Sequence, residues 1–226
     1  MLRRNYDKHH QENSKLIFYA PLTDDKYPKY VAGGDYSLYY EGSGIISGGE
    51  LYLSSNAANM GVGYNQPLPI SDYTISAYHT RINTVGNQFS FMNSSHSNDT
   101  YWTLMLAHDK LITYVNQVGE RMLSINSILP LNIKTFETVT TIKNDDGTYT
   151  TKIYINGVLK AENTMANTNL DNYISNYGQP YVGIGIWNKG SANGFVGKLS
   201  QLTCFQVLSD EEVMQQYIKK GVPEGF

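Results

Sequence analysis

The stretch KIYINGVLK, residues 152–160, decides the fold of this chain because it reads as two short strands joined by a tight turn. The dipeptide Asn156-Gly157 supplies the positive φ angles that a two-residue hairpin turn requires. Asp146-Gly147 gives the same signal between TTIKND and TYTTKIYI. The two turns together predict an antiparallel meander.

Strand signals recur along the rest of the chain, separated by clusters of Gly, Asn, Asp, Ser and Pro, which is the pattern of a sandwich or jelly roll. A chain of 226 residues with 19 tyrosines, 20 glycines and 16% charged residues favours strands and tight turns, and its length fits one all-β domain. The Asn-rich segments 54–71 and 161–180 are predicted to be loops that could shape a binding groove. The predicted strands are 16–20, 36–40, 50–53, 73–82, 87–93, 101–107, 111–116, 135–143, 148–155, 181–187 and 195–207.

One short helix is predicted near the C-terminus. Ser209 precedes three acidic residues, so its hydroxyl can accept from the Glu212 amide while Glu212 reaches back to the Ser209 amide. Gly221 is the stop signal. Val213 and Tyr217, four residues apart, are expected to pack this helix onto the sandwich.

The order of these elements carries a family resemblance. The hairpin is followed by YVGIGIW (181–187) and GFVGKLSQLTCFQVLSDEEVMQQY (194–217), and this order resembles the laminin-G-like jelly rolls of the concanavalin A-like lectin/glucanase superfamily. LIFYAPLTDD, DYTISAYHTRI and FETVTTI are similar to earlier strands of that family. The resemblance implies an antiparallel two-sheet β-sandwich with a short C-terminal α-helix, formed by residues 15–226. The polar composition of residues 1–14 predicts a flexible arm before it. LSQLTCF departs from the family, because Ser200 and Gln201 stand where acids are frequent.

Composition excludes several classes of function. The net charge of −3 and the scattered lysines and arginines give no reason to expect nucleic-acid binding. The longest apolar run, LIFYAPL, is too short to span a bilayer, so no membrane insertion is expected. Cys204 is the only cysteine, which excludes an intrachain disulfide and is typical of a small buried hydrophobe.

The sequence argues against an enzyme. The family resemblance implies that a retaining glucanase would carry its acids as E-x-D-x-E on one strand, where period-two spacing puts them on one face. This chain lacks that pattern. Glu137 is alone in its strand. No G-x-S-x-G is present, so His79, His96 and His108 are interpreted as structural, and zinc spacings are absent.

No cofactor or metal is predicted, although a structural calcium ion stays open because many members of the family bind calcium through loop Asp and Asn residues. Asp24, Asp25, Asp145 and Asp146 are hard oxygen ligands, but turn formation explains them better.

Alternation along the strands gives the candidate ligand-binding residues. In YVGIGIW the aliphatic positions point inward, which leaves two glycines between two flat aromatic walls on the outside. The same reasoning buries Tyr73, Ile75 and Ala77 and turns Tyr78 outward with Thr74, Ser76 and Thr80. A tyrosine-rich, hydroxylated face suits a sugar ring or a protein interface. The predicted ligand-binding residues are Trp187, Tyr181, Tyr101, Tyr78, Gly183 and Gly185.

Three functions follow from these expectations. The first is a non-enzymatic virion surface component of a bacteriophage (fibre, tail or head decoration), because the chain resembles a mostly extracellular family yet starts at a methionine without a signal peptide. The second is a glycan-binding lectin-like domain of a secreted or cell-surface protein. The third is a glycan-cleaving enzyme of the glucanase branch. The expected partner is a glycan or another virion or cell-surface protein, and a homo-oligomer is left open.

Overall fold

The computed structural model describes residues 15–34, 36–55, 60–67, 69, 71–83, 87–89, 91–94, 105–109, 112–117, 120–126, 130–167, 181–184 and 195–226. The predicted arm, residues 1–14, lies outside them. The described part is all-β with one C-terminal helix, as expected. Its strands are β1 (Leu16–Ala20), β2 (Tyr30–Val31), β3 (Leu38–Glu41), β4 (Ile45–Ser47), β5 (Glu50–Leu53), β6 (Val62–Pro67), β7 (Tyr73–Arg81), β8 (Asn87–Phe89), β9 (Phe91–Ser94), β10 (Met105–Asp109), β11 (Ile112–Gln117), β12 (Glu120–Asn126), β13 (Lys134–Lys143), β14 (Tyr149–Ile155), β15 (Val158–Met165), β16 (Tyr181–Ile184) and β17 (Gly197–Gln206), and its helix is α1 (Asp210–Ile218).

The strands form two layers. One layer is a nine-stranded sheet in the order β15-β14-β13-β7-β17-β1-β2, with β5 also paired to β17 and β4 to β5. Two further four-stranded sheets, β12-β11-β10-β8 and β3-β6-β16-β9, contribute Met122, Leu123, Val62 and Tyr64 to the core that they share with the nine-stranded sheet. The strand pairs of the described chain are antiparallel, for example β13 with β7 and β7 with β17. This arrangement is the predicted antiparallel β-sandwich.

The main core lies between the layers. Tyr73, Ile75 and Ala77 of β7 are all buried in it, which confirms the predicted inward set. Phe18 of β1 meets Tyr64 of β6 edge to face, with ring centroids 4.8 Å apart. Burying such side chains contributes roughly 1.5–3 kcal/mol each, so these contacts hold the two layers together.

The two predicted turns differ in type. Asn156 and Gly157 have φ angles of 52° and 76°, the pair of positive values expected for a two-residue hairpin turn between β14 and β15. In the β13–β14 connection only Gly147 has a positive φ. The backbone amide of Asn144 donates a hydrogen bond to the Thr148 carbonyl and closes a longer loop. The meander forms as expected, but Asp146-Gly147 is part of a wider turn.

Helix α1 is capped as the sequence predicts. The Glu212 amide donates to Ser209 Oγ at 3.2 Å, and the Ser209 amide donates to Glu212 Oε2 at 2.7 Å. Lys15 Nζ donates to the same carboxylate. The hydrogen bond from Lys15 has the largest effect on the pKa of Glu212 and lowers it, and the bond from the Ser209 amide lowers it further. Val213 is fully buried against the outer face of the nine-stranded sheet, in a second cluster with Tyr154 and Phe205. The described residues contain no helix long and apolar enough to cross a membrane.

Replacing Ser209 by alanine is expected to lower the free energy of unfolding by about 1 kcal/mol, because the Glu212 amide loses its capping acceptor. Urea unfolding followed by circular dichroism measures this change. Ser47→Ala, at an exposed position of β4, is the matched control and is expected to be nearly neutral. Equal losses in both variants would contradict a capping role for Ser209.

Two predicted loops contain strands. Segment 54–71 includes β6, which its composition hides because VGYNQP has a glycine, an asparagine and a proline. It is nevertheless a strand, since it pairs with β3 and β16 and buries Val62 and Tyr64 in the core. Segment 161–180 includes the end of β15, an edge strand of the described sheet whose side chains are mostly exposed, and the polar residues Glu162, Asn163 and Thr164 hide it in the sequence. The short strands β2 and β4, and β12, were not predicted either.

Candidate functional site

The predicted binding residues do not form one row in the structure. Tyr78 lies in β7 of the nine-stranded sheet, whereas Tyr181 and Gly183 lie in β16 of a four-stranded sheet in the other layer. Tyr101, Gly185 and Trp187 lie outside the described residues, so their role stays a prediction. Tyr78 is thus the predicted site residue around which a described surface can be built.

Half of the outward row of β7 is covered. Thr74 and Ser76 face away from the core as expected, but both are fully buried. The Thr74 hydroxyl lies 3.0 Å from that of Thr140 and also accepts from the Leu208 amide at 3.0 Å, so the chain that leads into α1 lies over it. Tyr78, further along β7, remains partly exposed. The helix therefore restricts the accessible part of this face to its Tyr78 end.

A groove of about 600 Å³ opens where α1 ends above the sheet. Its walls come from β7, β13, β17, the last turn of α1 and the chain that follows. The residues that line it are Tyr78, Lys134, Gln201, Tyr217, Ile218, Lys220 and Val222.

Aromatic rings form the base of this groove, which we call the Tyr78 groove. The Tyr78 ring lies 4.7 Å from the buried ring of Phe136, and the Phe136 ring lies 6.2 Å from that of Tyr217. Gly221 passes close by with a φ of 71°, and a Cβ there would come within 3.0 Å of Phe136 Cε2 and 3.1 Å of Gln201 Cβ. Burial, with a smaller contribution from Tyr217, raises the pKa of Tyr78, so its hydroxyl stays protonated and can donate.

Two polar arms reach the groove from the sheet. Gln201 has a φ of 56° at a bulge in β17, and its Oε1 accepts from the Tyr19 hydroxyl at 2.6 Å, which leaves the amide hydrogens to donate. Lys134 Nζ lies 5.1 Å from the Tyr78 ring centroid and 2.9 Å from Glu50 Oε1.

The sequence predicts part of this groove. Alternation along β7 turns Tyr78 outward, and the spacing of Val213 and Tyr217 packs the helix onto the sandwich. Gln201 stands out in the sequence only as a departure from the family pattern, and Lys134 has no sequence signal. The bulge that turns Gln201 into the groove has no glycine to mark it.

The inner face of β7 carries a polar pair of its own. His79 Nδ1 lies 3.1 Å from Glu137 Oε2, and both side chains are essentially inaccessible. The His79 ring also meets Phe195 edge to face at 5.8 Å. Because this pair lies inside the sandwich, it does not line the Tyr78 groove.

Two of the four acids considered as calcium ligands, Asp25 and Asp146, make contacts within their turns. Asp25 accepts from the Tyr27 amide and pairs with Lys29, and Asp146 accepts from the amide and hydroxyl of Thr148. Among the described residues, no group of three or more His, Cys, Asp or Glu side chains is placed to hold a metal ion.

An antiparallel two-layer sandwich with one helix laid across its outer face defines a lectin-like jelly-roll domain. The chain belongs to the concanavalin A-like lectin/glucanase superfamily, whose laminin-G family model matches residues 47–214. A comparison with curated proteins finds no match.

Solved structures share this fold at low sequence identity. The sialidase of Trypanosoma rangeli in complex with 2,3-difluoro-KDN is similar with a TM-score of 0.65 and 12% identity, over 92% of this chain and 33% of the sialidase, so the chain spans about a third of that enzyme. The CBM40 of the Ruminococcus gnavus IT-sialidase, bound to α2,3 sialyllactose, is similar with a TM-score of 0.53 and 15% identity, over 74% of this chain and 95% of the CBM40. Domain 4 of AbnA, an extracellular arabinanase of Geobacillus stearothermophilus, in complex with arabinotriose, is similar with a TM-score of 0.52 and 14% identity, over 89% of this chain and 98% of that domain.

Proposed function

We propose that this domain recognises glycans without cleaving them and that the Tyr78 groove is its binding site. The observation that carries the proposal is the open groove with an aromatic base and polar arms on its walls. Two domains of similar fold, the CBM40 and domain 4 of AbnA, hold oligosaccharides, which supports the same class of ligand here.

The side chains of the groove match the two surfaces of a sugar. A pyranose ring presents an apolar C–H face that stacks on an aromatic ring, and Tyr78 offers such a ring. Its hydroxyl groups need hydrogen-bond partners, and the Gln201 amide and the Tyr78 hydroxyl supply them. Small-molecule sites combine apolar walls with a few convergent polar groups in this way.

The same lining residues support the proposal that the domain does not cleave its ligand. Glycoside hydrolysis by the common mechanism requires two carboxyl groups on either side of the scissile bond. The residues that line the groove in the described chain include no Asp or Glu. Glu50 lies beside it but pairs with Lys134, and Glu137 is buried inside the sandwich. Incubation of the protein with any glycan it binds should therefore release no product.

The experiment is a glycan array followed by titration calorimetry, run with calcium and with a chelator. Tyr78→Ala is expected to weaken binding by about tenfold, since an aromatic contact contributes up to about 1.5 kcal/mol. Tyr27→Ala, at an exposed tyrosine outside the groove, should bind like the wild type. Thermal unfolding confirms that each variant is folded.

A third variant separates the two candidate sites. If Trp187→Ala abolishes binding and Tyr78→Ala does not, the ligand binds at the surface predicted from YVGIGIW and the Tyr78 groove is not the site. If both variants bind as tightly as the wild type, neither the Tyr78 groove nor the YVGIGIW surface is the binding site.

The setting we propose is the surface of a bacteriophage particle, with a host glycan or another virion protein as partner. A free lectin-like module of a secreted or cell-surface protein is the alternative. An antibody against the domain should label intact particles in the first case, and labelling of cells alone would favour the second.

A further inference from the structure

We infer that the Tyr78 groove selects sugars that carry a carboxylate, and that Lys220 binds this group. The inference rests on the proposed function, because it requires that a sugar occupies the groove. It names the chemical class of the ligand, which neither the fold nor the family fixes.

The charge of the groove is the first argument. Its described lining includes two lysines, Lys134 and Lys220, and no acid, whereas the whole chain carries a net charge of −3. A positive site on a negative protein attracts an anion locally without making the protein a general polyanion binder.

The two lysines are in different states. Lys134 is held by Glu50 at 2.9 Å and lies against the Tyr78 ring, so much of its charge is already balanced. Lys220 is exposed, and within the described chain it makes no ion pair with a carboxylate. Lys220 is thus the cation that a ligand can engage.

The end of α1 fixes where Lys220 starts. Lys220 has a φ of 56° and Gly221 one of 71°, so the chain turns sharply at the rim of the groove. The Lys220 amide donates to the Tyr217 carbonyl at 3.0 Å, and the Gly221 amide donates to the Gln216 carbonyl at 2.8 Å. These bonds anchor the backbone of Lys220 to the helix that forms one wall.

The helix end itself opposes an anion, because the last carbonyls of a helix carry partial negative charge. This opposition is reduced here, since the carbonyls of Gln215, Gln216 and Tyr217 all accept backbone hydrogen bonds. A full positive charge on Lys220 then outweighs the residual partial charge at short range.

The shape of a carboxylated sugar fits a groove with an aromatic ring at its base and a lysine at its rim. Its C–H face stacks on Tyr78, while the carboxylate projects from the edge of the ring toward the rim. The amide hydrogens of Gln201 are free to donate to a hydroxyl on the opposite edge. Sialic acids and uronic acids share this chemistry.

The test uses ligands that differ only in charge. Sialyllactose and a trigalacturonic acid are each titrated into the protein and compared with their methyl esters, and lactose is the neutral reference. We expect at least one acid to bind about tenfold more tightly than its ester, with the preference shrinking between about 50 and 500 mM NaCl because exposed charges are screened. The pair that shows the preference identifies the source of the carboxylate.

Two variants assign the preference to a residue. Lys220→Gln should bind acid and ester equally, and Lys160→Gln, at an exposed lysine of β15 outside the groove, should keep the wild-type preference. Equal binding of acid and ester by the wild type, or a preference that survives in Lys220→Gln, would overturn the inference. Neutral sugars that bind through Tyr78 without such a preference would leave the proposed function intact, whereas failure of every sugar to bind would remove both.

Discussion

Replacing Gly197 by alanine is expected to destabilise the domain by about 3–5 kcal/mol, a large part of the stability of a typical domain. Gly197 begins β17 with a φ of 152°, and a Cβ there would lie 2.1 Å from the Thr80 carbonyl oxygen and 2.7 Å from Phe195 Cε1. The carbonyl belongs to β7 and cannot swing away, because β7 is paired on both sides, with β13 and β17. The two strands must separate locally to admit the methyl group.

Gly147→Ala is the matched control for this variant. Gly147 also has a positive φ, 82°, but no atom lies within 4 Å of the position of its Cβ. It should therefore lose only the cost of the left-handed conformation, about 1–2 kcal/mol. Equilibrium urea unfolding of both variants measures the difference. Equal losses would show that the steric contact with Thr80 has no effect.

The second large effect is expected at the buried pair of His79 and Glu137. Glu137→Leu and His79→Leu should each cost about 3–5 kcal/mol, because each removes from the other buried polar group the interaction across 3.1 Å. The double variant should cost much less than the sum of the two, since it replaces the pair by two apolar side chains of similar size. Urea unfolding of all four proteins completes the cycle.

A purely additive result in this cycle would contradict the assignment of His79 and Glu137 as an interacting pair. The outcome also matters for binding studies. His79 follows Tyr78 directly in β7 and points to the opposite face, so damage to the pair can displace the base of the groove. Binding losses in these variants must be corrected for the fraction of unfolded protein.

The local sequence was sufficient wherever one short segment specifies its own geometry. Asn156-Gly157 forms the predicted turn because only a few residue types tolerate two successive positive φ angles. Ser209 and Glu212 cap α1 because both partners lie within one helical turn. In β7 the alternation of Tyr73, Ile75 and Ala77 fixes which face enters the core.

Other features escaped sequence analysis because their causes are distant in the chain. β6 is a strand through its pairing with β3 and β16 rather than through its own composition. Thr74 and Ser76 face outward as their alternation requires, yet both are buried, and the Leu208 amide returns from far along the chain to bond the Thr74 hydroxyl. Gln201 reaches the groove through a bulge in β17 that no glycine announces.

The sequence by itself determined the all-β jelly roll, its hairpins, its capped helix and its family, since these depend on local turn chemistry and on the order of the strands. Only the tertiary structure decided that Tyr78, rather than the rest of its row, borders an open groove, and that Lys134, Gln201 and Lys220 meet it there. Those residues come from β7, β13, β17 and the end of α1. Their meeting depends on which strands become neighbours and on where the helix stops across the sheet, and local residue patterns do not encode either.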